Sequence, residues 1–176
     1  LVLVNGKLAQ SGPVPEVFRR PANLAVAGLL SVESIHPGHV LKAEGELVNV
    51  VVGSVSLTSA EQSLPENTLE VYVCVRAEDV ILVKGADATS SARNRLRALV
   101  QSVVHEGAHM RVDLDCGFAL TALLTRQACE EMGLKPGDTV TALVKAPHVH
   151  LIPRVEKGQP GSPAKPIRGL PAGSDS

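Results

Sequence analysis

Val75-Arg76-Ala77-Glu78-Asp79-Val80-Ile81-Leu82 is the stretch that decides the fold, because the chain contains it twice in related form. The second copy is Val144-Lys145-Ala146-Pro147-His148-Val149-His150-Leu151. Both read valine, basic residue, alanine, two variable residues, valine, one variable residue and leucine. Internal repetition of this kind indicates two copies of one supersecondary unit. Between the copies lies Ser91-Ala92-Arg93-Asn94, which offers hydroxyl, backbone N–H and guanidinium donors. The sequence therefore predicts two related modules with a donor-rich joint.

The first copy ends a region with the alternation of short antiparallel strands. Valines at 48, 50 and 52 precede Gly53, as in a hairpin with a tight corner. Leu69–Val75 alternates again and is rich in β-branched residues. Pro37-Gly38, flanked by His36 and His39, predicts a loop. These features predict one small β module.

The second copy ends a similar region. Met110–Cys116 alternates, and Thr125 is a predicted N-cap for a helix at Arg126–Met132. A final strand is predicted at Thr139–Ala146, continued by His148–Ile152. Five short strands with one short helix before the last are typical of a small OB-like barrel. We therefore expect a mainly β fold of two tandem OB-like five-stranded barrels.

The residues before the first module read differently. Asn5-Gly6 supplies the positive φ values of a type I′ turn, which predicts a hairpin over the first ten residues. Pro15 lies near the start of one predicted helical turn. Pro21 begins a second predicted helix that ends at Gly28. A segment of about 30 residues is too small to form its own core, so we expect it to pack on another part of the protein.

Composition excludes several classes of protein. The 176 residues carry a formal net charge of -1, and aromatic residues make up only 2%, which argues against a nucleic-acid-binding OB protein. Cys74, Cys116 and Cys129 are odd in number and widely spaced, so no disulfide framework is predicted. No apolar run is long enough for a transmembrane helix. The proline- and glycine-rich residues 155–176 predict a disordered tail.

Several motifs resemble the Mop, or molbindin-type, molybdate-binding module. They are Ser91-Ala92-Arg93-Asn94, Leu114-Asp115-Cys116-Gly117, Leu134-Lys135-Pro136-Gly137 and Lys145-Ala146 with its following strand. Val75–Val80 resembles the related TOBE module of ABC importer ATPases, and residues 1–30 resemble the end of an ABC ATPase domain through Asn5-Gly6-Lys7, Glu16-Val17-Phe18 and Arg20-Pro21-Ala22-Asn23. The resemblance implies an ATPase remnant at 1–30, a TOBE-like module at 31–85, a Mop module at 86–154 and the tail at 155–176.

A tetrahedral dianion such as molybdate or tungstate needs several converging donors and some positive charge. The hypothesis for the oxyanion site therefore comprises Ser91, Ala92, Arg93, Asn94, Thr125, Lys145 and Ala146. The resemblance implies that the N-terminal edge of one Mop module meets the Lys145 strand of another. Pro147 lacks an N–H and a hydroxyl where the family often has a donor. Glu78 and Asp79 make an anion site in the first module less favourable.

Simpler interpretations remain for the same residues. Ser91–Asn94 can serve as a linker turn, Lys145 can protect a strand edge, and Thr125 can cap a helix without touching ligand. The paired histidines suggest a metal, but no pair comes with enough neighbouring ligands for structural zinc. Cys116 alternates with core residues and is interpreted as a small core residue rather than a nucleophile.

The resemblance implies a regulatory, oxyanion-binding region of a molybdate or tungstate ABC importer ATP-binding subunit. The chain contains no G-x-x-x-x-G-K-[ST] phosphate loop, so we expect it neither to bind nor to hydrolyse ATP alone. The implied partners are a second copy in a homodimer, an ATPase domain and, through it, a membrane permease, with no nucleic acid. The implied location is cytoplasmic, peripheral to the inner membrane. The alternative is a free-standing molbindin-type storage protein.

Overall fold

The computed structural model describes residues 1–61, 64–85 and 90–154, except for the side chains of residues 43 and 44. The tail predicted at 155–176 lies outside these residues. The described elements, in chain order, are β1 (Val2–Val4), β2 (Lys7–Gln10), α1 (Val14–Arg19), α2 (Leu24–Leu29), β3 (Ser34–Glu44), β4 (Leu47–Val52), β5 (Val55–Ser59), β6 (Glu70–Val75), β7 (Ile81–Val83), β8 (Asn94–Glu106), β9 (His109–Asp115), β10 (Ala119–Thr125), α3 (Arg126–Met132), β11 (Thr139–Val144) and β12 (His150–Pro153). Two short 3-10 turns, Ala77–Asp79 and Ala146–His148, lie between β6 and β7 and between β11 and β12.

Apart from the two-stranded sheet β1-β2, the described strands form two five-stranded sheets that exchange their last members. The first sheet has the order β12-β6-β3-β4-β5, and the second sheet has the order β10-β9-β8-β11-β7. The mainly β, OB-like fold expected from the sequence is confirmed. However, β7 follows the strands of the first sheet in the chain and pairs with β11 of the second, while β12 crosses to β6. The two modules are therefore interlocked.

This exchange corrects the prediction of one continuous final strand. The strand that begins at Thr139 ends at Val144, and the 3-10 turn Ala146–His148 redirects the chain to the first sheet. The turn Ala77–Asp79 does the same for β7. The repeated sequence motif thus encodes the crossover between sheets.

The long strand β3 also differs from the prediction. Pro37 and Gly38, assigned to a loop, lie inside β3 and pair with Tyr72 and Val71 of β6. On the other side, the ladder with β4 begins only at His39. Pro37 therefore lies where β3 has a single neighbouring strand, so its missing N–H does not break a central ladder.

The first thirty residues pack on the first sheet. The predicted hairpin is confirmed, with positive φ values of 50° at Asn5 and 73° at Gly6. The second helix was placed wrongly: it begins after Asn23, whose side chain accepts a hydrogen bond from the Val26 N–H, and it runs past Gly28 to Leu29. Ala27 is fully buried in a small cluster together with Val32, Cys74 and Ile152. The segment thus takes its core from the modules, as expected.

The larger core is shared by both modules. It contains buried residues from both sheets, among them Val50, Val73, Val100, Leu114 and Val140. All three cysteines are buried and free, and burial raises the pKa values of the Cys74 and Cys116 thiols to about 12. Cys116 is thus a core residue, as interpreted. No helix among the described residues is long and apolar enough to span a bilayer.

Candidate functional site

Antiparallel pairing of β8 with β11 brings the two predicted halves of the oxyanion site together. Asn94 lies opposite Val144, and Arg95 lies opposite Leu143. Continuing this register by one residue places Arg93 opposite Lys145. The resemblance implied that these halves would meet between modules, whereas here they belong to one sheet of one chain.

Arg93 and Lys145, which we call the cation pair, lie on the exposed face of this strand end. Their neighbours Ala92, Asn94 and Ala146 are buried, while both basic side chains are exposed. Within the described ranges, neither Arg93 nor Lys145 has an ion-pair partner. Like charges directly opposite each other on antiparallel strands are destabilising. A bound anion would reverse that effect.

The backbone beside Lys145 adds a donor. Lys145 is extended, with φ -72° and ψ 144°, and the 3-10 turn begins at Ala146. The Ala146 carbonyl accepts hydrogen bonds from the Ala60 and Val149 N–H groups. Its N–H has no hydrogen-bond partner in the described part of the chain. Pro147 has no N–H to contribute, so Ala146 provides the one free amide at the start of this turn in the described structure.

Two of the predicted site residues, Ala92 and Asn94, have hydrogen-bond partners within the protein. The Asn94 side chain is buried, donating to the Thr58 and Val144 carbonyls at 2.9 and 3.1 Å and accepting from the Thr58 N–H at 2.7 Å. The Ala92 N–H donates to the Ser90 hydroxyl at 3.1 Å. The Asn94 side chain therefore links β5 to β8 and β11. Among the predicted site residues, Ser91, Arg93, Lys145 and Ala146 are the ones with a hydrogen-bond donor that has no partner in the described structure.

Thr125 lies at the other end of the second sheet. It pairs with His109, which in turn pairs with Glu106, the last residue of β8. Asn94 is the first residue of β8, about 40 Å away along the strand at 3.3 Å per residue. The Thr125 hydroxyl accepts a hydrogen bond from the Ala128 N–H at 3.2 Å and caps α3. The chain does not bring Thr125 to the cation pair.

The equivalent place in the first module has different chemistry. Ser34 lies opposite Val75, so the continued register places Glu33 opposite Arg76. The Glu33 carboxylate accepts a hydrogen bond from the Ala77 N–H at 2.9 Å. Sequence reasoning missed Glu33, although extending the repeat alignment back to the start of β3 would have matched it with Arg93.

Two of the histidines, His148 and His150, line a separate cleft of about 510 Å³ beside the first thirty residues, which we call the histidine cleft. His150 contacts Glu61 at 2.7 Å and the Pro21 carbonyl at 2.9 Å, and both ionisable side chains are largely buried. His148 contacts Asp79 at 2.9 Å, and partial burial raises the pKa of that carboxyl although His148 opposes the shift. Among the described residues, no group of three or more His, Cys, Asp or Glu side chains could hold a metal ion.

Comparison with known proteins places these features in context. Residues 90–151 match the TOBE domain family. The chain is similar to the molybdate/tungstate import ATP-binding protein WtpC of Pyrococcus horikoshii, with 32% identity over 155 residues, or 86% of this chain and 41% of that protein. It is also similar to the molybdenum import ATP-binding protein ModC of Rhizobium etli, with 29% identity over 157 residues, or 82% of this chain and 41% of that protein. The chain thus spans about two fifths of the length of these relatives.

A solved structure superposes on most of the chain. The cytoplasmic molybdate-binding protein ModG, determined with molybdate bound, superposes with a TM-score of 0.60 and 28% sequence identity. The superposition covers 70% of this chain and 98% of that one.

Proposed function

The chain contains a TOBE domain at residues 90–151 and resembles the ATP-binding subunits of molybdate and tungstate importers, and from this premise we propose that it is an oxyanion-binding regulatory region. The observation that carries the proposal is the cation pair. The continued register of β8 and β11 places Arg93 opposite Lys145 just beyond the ends of the two strands, with the free Ala146 N–H next in the chain. This arrangement suits an anion of charge -2 and does not provide a nucleophile or a general base.

The ligand class follows from the donors. A guanidinium, an ammonium, a backbone N–H and the Ser91 hydroxyl are all donors, so the site suits an anion that only accepts hydrogen bonds. Molybdate and tungstate are such anions, with four equivalent oxygens. Neither Ser91–Asn94 nor Lys145–Pro147 contains a carboxylate, so the two motifs themselves do not repel an anion. The region would bind rather than transform its ligand.

The packing of residues 1–30 supports a regulatory role. The Phe18 carbonyl accepts from Arg76 at 3.3 Å, the Pro21 carbonyl contacts His150 at 2.9 Å, and Arg20 lies 3.8 Å from Glu61. A leading segment held at several points would transmit a rearrangement of the modules to an attached ATPase domain. The region would then report intracellular molybdate or tungstate to a cytoplasmic ATPase, paired as a homodimer beneath a permease.

A second candidate is a free-standing molybdate storage protein. The superposition with ModG, whose chain is covered almost completely, favours this alternative. The docked leading segment favours the transporter instead, because a storage protein has no need of such an attachment. Both candidates share the same site chemistry.

Calorimetric titration with molybdate, tungstate and sulfate tests the proposal. A charge-assisted hydrogen bond contributes about 1.5–3 kcal/mol, so Arg93→Ala and Lys145→Ala should each weaken molybdate binding roughly 10- to 100-fold. Arg97→Ala is the matched control, because Arg97 is also exposed on β8 but lies opposite Thr141 rather than a cation. No binding below millimolar concentration, or an equal loss in the Arg97 variant, would refute the site.

A further inference from the structure

We propose that the first module carries the same anion position as the second, and that the Glu33 carboxylate of the chain itself occupies it. The inference rests on the proposed function of the cation pair and deepens it. It implies that Glu33 limits the number of oxyanions that one chain can bind.

The two positions are equivalent in backbone geometry. Arg76 and Lys145 are both extended residues before a 3-10 turn, with φ and ψ of -85° and 142° in one and -72° and 144° in the other. Ser34 is the first residue of β3 and pairs with Val75, the last residue of β6 before the first 3-10 turn. Asn94 is the first residue of β8 and pairs with Val144, the last residue of β11 before the second 3-10 turn.

Contacts to the other module repeat this equivalence. The Ser34 hydroxyl accepts a hydrogen bond from the Thr121 N–H of β10 at 3.1 Å. The Asn94 side-chain oxygen Oδ1 accepts a hydrogen bond from the Thr58 N–H of β5 at 2.7 Å. The residues that precede these two are Glu33 and Arg93, and both are exposed. Glu33 therefore corresponds to Arg93, and the Ala77 N–H corresponds to the Ala146 N–H.

The donors of the first position are already used. The Ala77 N–H donates to the Glu33 carboxylate at 2.9 Å, which is the contact that an anion oxygen would make. The counterpart of Lys145, Arg76, donates to Glu78 at 2.8 Å and to the Phe18 carbonyl at 3.3 Å. Two carboxylates thus take the donors that an oxyanion would need, and their charge would repel one.

The second position lacks both carboxylates. Arg93 stands where Glu33 stands in the first module, and Pro147 stands in the place of Glu78. The consequence is one external oxyanion for each two-module chain, although the fold provides two equivalent places. The Glu33 contact also indicates how an oxyanion would bind at the second position. One of its oxygens would accept a hydrogen bond from the Ala146 N–H, as the Glu33 carboxylate accepts one from the Ala77 N–H.

Hydrogen exchange measured by NMR on the whole chain tests the occupancy without any ligand. The Ala77 amide should be protected in the wild type, should exchange at least 10-fold faster in Glu33→Ala, and should remain protected in Glu33→Gln, whose side-chain carbonyl can still accept. The Ala146 amide should exchange at the same rate in all three proteins. Unchanged protection of Ala77 in folded Glu33→Ala would overturn the assignment.

Molybdate titration tests the consequence. The double variant Glu33→Arg with Glu78→Ala restores a basic pair and a free N–H to the first position, and the number of molybdate ions bound per chain should double relative to the wild type. An unchanged number in a folded variant whose Ala77 amide has become unprotected would overturn the inference while leaving the proposed function intact. Absence of molybdate binding by the wild type would instead refute the proposed function, and hydrogen exchange would still decide whether Glu33 occupies the Ala77 N–H.

Discussion

Replacement of Asn94 separates a structural role from a ligand role at the proposed site. The Asn94 side chain is only 4% exposed, and its amide makes three hydrogen bonds, two to the Thr58 backbone and one to the Val144 carbonyl. Asn94→Ala removes all three and leaves their backbone partners unsatisfied. At about 1 kcal/mol for each bond, the free energy of unfolding should fall by about 3 kcal/mol.

The effect is large enough for thermal unfolding to resolve. For a protein of this size, about 3 kcal/mol lowers the midpoint of unfolding by roughly 6–12 °C. Asn94→Ser is the matched control, because serine is the residue at the equivalent position 34, where its hydroxyl accepts one cross-module hydrogen bond. The serine variant should lose less stability and keep its molybdate affinity within a few-fold. A loss below 1 kcal/mol in Asn94→Ala would refute the structural role. Loss of molybdate binding in a stable Asn94→Ser would show that the side chain serves the ligand.

Two further predictions concern the core. Gly38→Ala should destabilise the protein by about 1–3 kcal/mol in denaturant titration, since a Cβ there would lie 2.9 Å from a Val73 methyl. The control is Gly28→Ala in α2, where an added Cβ meets nothing within 4 Å, so this variant should be as stable as the wild type or more stable. A Gly38→Ala variant more stable than Gly28→Ala would refute the packing of β3. The Cys74 and Cys116 thiols have folded-state pKa values of about 12, above the ordinary 9.0, so the free energy of unfolding should fall as pH rises from 9 towards 12. Because both thiols are buried, a thiol reagent at pH 8 should modify them only after the protein unfolds. Rapid modification of the native protein at pH 8 would contradict that burial.

Local signals in the sequence predicted the elements that depend on local chemistry. The helix Arg126–Met132 begins after its Thr125 cap and ends at Gly133, which has a φ of 54°. The Asn5-Gly6 hairpin formed for the same reason. The failures were elements decided at long range. Pro37-Gly38 has the sequence of a turn, yet it pairs with β6 as part of β3. The strand tolerates Pro37 because the ladder with β4 on the other side begins only at His39.

The exchange of β7 and β12 was not predictable from hydrophobic pattern, because an apolar strand has the same pattern in either sheet. The candidate site shows the same division. The motifs identified Arg93 and Lys145, and the register of β8 with β11 brings them together. The motifs could not distinguish them from Asn94, whose buried side-chain hydrogen bonds depend on partners in other strands. The cap formed by Thr125 was predicted, but its distance from the cation pair was not, because that distance depends on the register of β8, β9 and β10.

An anomalous difference map from crystals of the molybdate-bound chain tests the central claim most directly, because molybdenum scatters anomalously and its position needs no interpretation of nearby density. We predict one peak for each chain, between the Arg93 and Lys145 side chains and within hydrogen-bonding reach, through one oxygen, of the Ala146 N–H. A peak beside Ala77 and Arg76, or one in the histidine cleft with none at the cation pair, would contradict the account.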